Sequence, residues 1–249
     1  MGGLRTVIDQ MGREVSFTFP LKRIVSLVPS QTEFLLDIGA PVVGRTKFCV
    51  HPKSKVETIP IVGGTKKFRF ETIRQLQPDL IIGNKEENYE EGITSLESDF
   101  PVWMSDIYTL QDAFDMMDML GSLCGLELRA QQIIDECEKA TSKVKDTKSG
   151  KILYLIWSNP WMVAGKDTFI DHMLTHLGYT NVTTESRYPE LTTDDISKLE
   201  PDYILLSSEP YPFKEKHLEA AKNRWPNANI RLVDGELYSW YGSRLREWG

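Results

Sequence analysis

The chain has 249 residues, 41% hydrophobic and 26% charged, with a formal net charge of −7. That length gives room for one large domain or two lobes, and the acidic balance argues against sequence-independent nucleic-acid binding. No apolar run approaches the roughly 18 residues of a membrane span, and cysteines at 49, 124 and 137 alone make neither a disulfide framework nor a zinc set.

Val7–Phe19, with Gly12 near its middle, predicts a β-hairpin. Arg23–Val28 (RIVSLV) has the pattern of a buried parallel strand. Ser30-Gln31-Thr32-Glu33 has capping-box spacing before Phe34-Leu35-Leu36, Gly39 ends that helix, and Val42-Val43 starts a strand. Phe70–Leu76 predicts an amphipathic helix leading through Pro78-Asp79 into the strand Leu80–Ile82. A helix over Tyr89–Ser98 and a strand over Pro101–Met104 follow. From Thr109 to about Lys145, apolar residues recur every three or four positions, which predicts one long helix or two with a kink near Gly125. Alternation then resumes. Strands are predicted at Lys151–Trp157, Tyr203–Leu206 and Ile230–Val233, and helices at Thr168–Leu177, Asp194–Leu199 and Lys214–Asn223.

Two segments repeat. FETIRQLQPDLIIGN begins at Phe70 and TDDISKLEPDYILLS at Thr193. One register aligns Glu71 with Asp194, Ile73 with Ile196, Leu76 with Leu199, Pro78 with Pro201, Asp79 with Asp202 and Ile81 with Ile204. The expected fold is therefore α/β: two Rossmann-like lobes with parallel sheets, joined by one long backbone helix. The boundaries are 1–108, 109–146 and 147–249. Such lobes form a cleft beyond the carboxyl ends of their strands, where open α/β sheets bind ligands.

The carrying segments KRIVSLVPSQTEFLLDIG (Lys22–Gly39), FETIRQLQPDLII (Phe70–Ile82) and LTTDDISKLEPDYILL (Leu191–Leu206) resemble the ABC-transporter substrate-binding proteins of the cobalamin and ferric-siderophore class. The resemblance runs from about Val7 to Arg246. It implies a binding protein and not an enzyme, one that acts outside the cytoplasm as a monomer. Its partners would be a small-molecule chelate and an ABC permease dimer, with no nucleic acid. Glu71 and Asp194 fall where this class meets permease arginines. The cargo it implies is a ferric siderophore, cobalamin or haem, with no intrinsic cofactor. Tryptophans that project from loops of the cobalamin binders match Thr65 and Asn84 here, which weakens the corrinoid option.

Residues just after strands are the ligand candidates. In the first lobe these are Ser30, Lys47, Phe48, Lys66 and Lys85, and in the second Trp157, Trp161, Arg187, Tyr211, Trp240, Tyr241 and Arg244. Aromatic faces interleaved with basic groups suit a planar or anionic chelate. No bare-metal site is expected, since His172 and His176 stand at i, i+4 without a following Glu. G-x-S-x-G and the phosphate loop are both absent, and Val62–Lys67 (VGGTKK) lacks phosphate-loop spacing. Met1–Gln10 (MGGLRTVIDQ) shows no secretory signal. That leaves a cytoplasmic sensor or carrier of the same fold as the alternative to an exported segment behind a new methionine.

Overall fold

The computed structural model describes residues 2–249. The chain divides into two compact units. The first holds the chain through Ile107, Gln111–Glu138 and Tyr241–Arg244; the second holds Tyr108–Leu110, Lys139–Trp240 and Leu245–Gly249.

The first unit opens with an antiparallel hairpin of β1 (Gly3–Ile8) and β2 (Glu14–Phe19). Then come β3 (Ile24–Ser26), α1 (Pro29–Ile38), β4 (Val42–Arg45) and α2 (Lys53–Val56). A short hairpin, β5 (Gly63–Gly64) and β6 (Lys67–Phe68), precedes α3 (Phe70–Leu76), β7 (Leu80–Asn84), α4 (Glu90–Glu97) and β8 (Val102–Ser105). Strands β4-β3-β7-β8 form an all-parallel sheet in that order. Helices on a parallel sheet bury its strands on both faces, which explains the unbroken apolar runs: Ile24, Val25, Leu80 and Ile81 are fully buried.

Of the two expectations for the connecting stretch, one long helix or two with a kink, the structure has the second: α5 (Leu110–Cys124) and α6 (Glu127–Val144). The break has a local cause. Gly125 adopts φ +67°, a left-handed conformation open to glycine, and ends α5. A Cβ at Gly121 would stand 2.4 Å from the Ala130 Cβ, so the helices meet where only a glycine fits.

The second unit contains β9 (Lys151–Trp157), β10 (Trp161–Val163), α7 (Phe169–His176), β11 (Thr180–Asn181), β12 (Glu190–Leu191), α8 (Thr193–Lys198), β13 (Tyr203–Ser207), α9 (Glu215–Arg224), β14 (Asn229–Val233) and α10 (Gly235–Ser239). A 3₁₀ helix spans Ser243–Trp248. Strands β9, β13 and β14 run parallel, with β13 central; β11 pairs parallel with β9. Strand β10 folds back antiparallel on β9 and carries β12 on its far side, a hairpin with no counterpart in the first sheet.

The sequence repeat is a structural repeat. Leu80 pairs with Ile24 and Tyr203 with Ile152; Ile81 faces Val102 as Ile204 faces Ile230. Gln77 and Glu200, the residues before the Pro-Asp pairs, both turn left-handed, at φ +42° and +45°. The Asp79 carboxylate accepts the amides of Lys22 (2.7 Å) and Arg23 (2.9 Å), and Asp202 accepts that of Lys151 (2.7 Å). Each aspartate therefore stitches a helix-to-strand turn to the start of the neighbouring strand. Asp79→Ala should destabilise by about 1–3 kcal/mol, and Asp202→Ala by less because it frees one amide, not two. Denaturant midpoints of the two variants check the order.

Candidate functional site

In the first unit the parallel strands bring four polar termini to one edge: Arg45, Ser26, Asn84 and Ser105. Beneath the loops a buried network links them. Thr32 Oγ1 lies 2.7 Å from Ser26 Oγ, 2.8 Å from the Val28 carbonyl and 3.1 Å from Cys49 Sγ. Gln31 donates to Ser105 Oγ, as does Asn84 at 3.0 Å. The Asn84 side-chain carbonyl accepts the amides of Glu86 and Glu87, and Asn88 donates to the carbonyls of Leu27 and Thr65. Arg45, buried, donates to the carbonyls of Val56 (2.8 Å), Thr46 (3.2 Å) and Cys49 (3.1 Å). A buried polar network of this kind, in which only the Gln31 Oε1 among the atoms named lacks a partner, ties the loops to the strand ends. Burial pushes the Cys49 thiol pKa up, against its bonds to Thr32 and Thr46, which keeps it a neutral member of the network.

On that base sit the first-unit candidates. Phe48 is 49% exposed, and Lys47 Nζ stands 4.8 Å above its ring. Gly64 comes close to both, since a Cβ there would lie 3.3 Å from Phe48 and 3.5 Å from Lys47. The structure thus gathers Lys47, Phe48 and the turn that carries Lys66. Lys66 donates to the Glu86 carbonyl at 2.7 Å, and Lys85 pairs with Asp106 at 2.6 Å. Ser30 is buried in the first turn of α1. It caps nothing: Pro29 is the first helical residue, Val28 the cap, and the expected capping box does not form.

Tyr241 and Arg244, expected in the second lobe, belong to the first unit. Arg244 is buried and pairs with Glu33 of α1 at 3.0 Å, and Cys137 Sγ lies 3.5 Å from the Gly242 carbonyl. A contact 211 positions apart in the chain takes precedence over chain order.

In the second unit, Trp157 ends β9 at 38% exposure, 5.4 Å from the Tyr211 ring, which packs on Phe213 and His217. Beneath them Tyr154 meets Ser207 Oγ at 3.2 Å, and Ser207 donates to the Glu209 carbonyl. The Glu209 carboxylate accepts from Ser239 and from the Trp240 indole, both at 2.9 Å, so Trp240 is buried and fixed. Burial raises the Glu209 pKa, with those two bonds opposing. Arg187 donates to the Asp167 carbonyl at 2.9 Å and lies 5.7 Å from the Tyr108 ring centre. Trp161 sits apart from the Trp157–Tyr211 cluster. Half-buried, it packs on Trp225 at 5.4 Å, donates to Thr193 Oγ1 and lies against the sheet–helix core.

Glu71 and Asp194 occupy the same place in each unit, the second residue of α3 and of α8. Each helix leads into its strand through a Pro-Asp turn, so its amino end lies toward the carboxyl edge of the sheet. Glu71 is 77% exposed at its side chain, with Arg74 at 3.9 Å. In α8 the capping is done by a different acid. Thr192 and Asp195 form a capping box, whose bonds hold the Asp195 carboxyl below its usual range, and this leaves Asp194 exposed.

The sequence reading missed the Arg45 clamp, the Glu33–Arg244 pair and the network under the loops. One signal was available: each first-sheet strand ends on a polar residue after an apolar run. Among the described residues no group of three or more His, Cys, Asp or Glu gathers to hold a metal ion, and no helix is long and apolar enough to cross a membrane.

Two α/β units with loop platforms at the carboxyl edges of their sheets define a ligand-binding protein of the open-sheet type. Residues 24–224 match the periplasmic binding protein family, and the chain belongs to it. It is accordingly a solute-binding protein and not an enzyme. The ABC transporter substrate-binding lipoprotein YvrC of Bacillus subtilis (strain 168), itself uncharacterized, is 27% identical over 97% of this chain and 82% of its own length. Two solved structures share the fold with a TM-score of 0.78 each. The vitamin B12-binding protein BtuF of Vibrio cholerae is 18% identical, covering 92% of this chain and 94% of its own. The haem-binding protein RhuT of Roseiflexus sp. RS-1 is 20% identical, covering 91% and 94%.

Proposed function

We propose that the chain is the substrate-binding component of an ABC importer, working outside the cytoplasmic membrane as a monomer, and that its cargo is a metal chelate: a ferric siderophore, a corrinoid or haem. The observation that carries this reading is the pair of platforms, each a set of exposed or half-buried aromatic and basic side chains on loops fastened to a parallel sheet. Phe48, Trp157 and Tyr211 supply faces for a planar ligand, and Lys47, Lys66, Lys85 and Arg187 meet its anionic groups. Ser30, Trp240, Tyr241 and Arg244 lie buried and support the loops. Trp161, half-buried against Trp225, takes no part. The names of the B12-binding and haem-binding relatives support a chelate as cargo, and that of the lipoprotein relative supports an ABC importer. Glu71 and Asp194 then dock the loaded protein on its permease.

A thermal-shift screen tests the cargo. Haemin, cyanocobalamin, cobinamide and a panel of ferric siderophores are added in turn. The true ligand at 100 times its dissociation constant adds about 2.7 kcal/mol, roughly 5–10 °C for a protein of this size. Phe48→Ala and Trp157→Ala should each reduce the shift. Melting unmoved by every chelate would defeat the reading.

A further inference from the structure

The internal repeat exposes a difference at the opposite, amino-terminal edge of the sheets. In the first unit the crevice beside the Pro-Asp turn is filled. Arg23 donates to the Leu76 carbonyl at 2.7 Å, Arg74 pairs with Asp99 at 2.8 Å, and Phe100 packs against the core. The matching positions of the second unit carry smaller or unbonded groups. Ser197 stands where Arg74 does in the helix repeat. Counting back from the paired strand residues Val102 and Ile230, Ala228 stands for Phe100 and Asn227 for Asp99. Lys151, the counterpart of Arg23 at the strand start, makes no such carbonyl bond. The result is a crevice of about 520 Å³ among these residues, a volume typical of small-molecule sites.

Its walls have a definite chemistry. Trp225 forms an apolar side, and its indole N–H, in a residue only 5% exposed, has no hydrogen-bond partner. Lys151 and Arg224 supply positive charge, and Glu200 and Asp202 negative. The groups missing relative to the first unit are a benzyl, a guanidinium and a carboxylate.

We propose that this crevice is a second ligand site, distinct from the chelate platform, that takes a small zwitterion with an aromatic or other bulky side group: an amino acid or short peptide. The carboxylate of such a ligand meets Lys151 and Arg224, its ammonium meets Glu200 and Asp202, and its ring lies on Trp225 in the volume that Phe100 fills in the first unit. The site does not depend on the chelate reading, because its lining residues lie at the amino edge of the second sheet, at the starts of β9, β13 and β14 and the ends of α8 and α9, and include none of the platform residues.

The test follows the Trp225 indole N–H resonance, assigned with Trp225→Phe, during titration of the full chain with the dipeptide phenylalanyl-arginine. Phenylacetate and phenethylamine serve as singly charged probes. A saturable shift is expected with the dipeptide, and about tenfold weaker binding with either single charge. Ala228→Phe and Ser197→Arg, which rebuild the filled crevice, should weaken dipeptide binding about tenfold or more while leaving chelate stabilisation unchanged. If the filled variants fold poorly, the exposed-site changes Lys151→Ala and Glu200→Ala should each weaken it several-fold. The proposal is overturned by a dipeptide titration that does not saturate, by variants that bind it as well as the parent, or by singly charged probes that match it.

Discussion

Arg244→Ala should lower stability by about 3–5 kcal/mol, read as a fall in the denaturation midpoint and as faster amide exchange in α1. Glu33 and Arg244 have side chains only 10% and 9% exposed, and their charged atoms meet at 3.0 Å. Glu33 lies on α1, where nine of ten residues are buried, so its carboxylate stays poorly solvated when the guanidinium is removed. The cost comes from a buried carboxylate that loses its guanidinium more than from a lost attraction, because desolvation already consumed much of what the pair gains. That distinction gives a control. Glu33→Met with Arg244→Met removes both charges together and should recover most of the loss. A single variant costing under 1 kcal/mol, or a double variant no better than the single, would contradict this account. The same pair explains why Tyr241–Arg244 sits with the first unit even though both its flanking segments belong to the second.

Most of the framework was legible because its signals are local. A helix of period 3.6 leading through Pro-Asp into an apolar run marked α3–β7 and α8–β13, and the aspartates proved to be hydrogen-bonded stitches. Helix α4 lies within a residue of its expected ends, and β9 matches its predicted range. The β9–β10 fold-back escaped notice because three residues, Trp161–Val163, carry too little alternation to register. Glu33 looked like the third residue of a capping box because local spacing cannot show a partner 211 positions away. The break in the connecting helix was half visible: Gly125 marks it, but Ala130 packed against Gly121 is a tertiary contact. At the site, residue type suggested which side chains face a ligand, while burial separated them. Phe48 and Trp157 stay exposed, whereas Trp240 and Arg244 are held by Glu209 and Glu33. Trp161 shows the limit most plainly, because in sequence it is one more aromatic after a strand and in space it is half-buried on Trp225, a neighbour 64 positions on.

Reversing both docking acids, Glu71→Lys with Asp194→Lys, should abolish stimulation of the reconstituted permease while ligand affinity stays within about twofold. Exposed ion pairs contribute only about 0.2–1 kcal/mol each, so the loss expected on neutralising one acid is modest. Reversal adds repulsion against a basic surface at two points at once, and like-charge juxtaposition costs several kcal/mol. Wild-type docking should also weaken as salt is raised, since screening acts on exposed charges. The competing explanation is that these acids serve their helices, whose amino ends favour negative charge by about 0.3–1 kcal/mol. Asp195 separates the two. It already completes the capping box of α8 with Thr192, so Asp195→Ala should lower the melting temperature yet leave permease stimulation nearly intact. Asp194→Lys should do the reverse. Stimulation surviving the double reversal would remove Glu71 and Asp194 from the docking surface. A parallel fall in ligand affinity would make them supports of the fold.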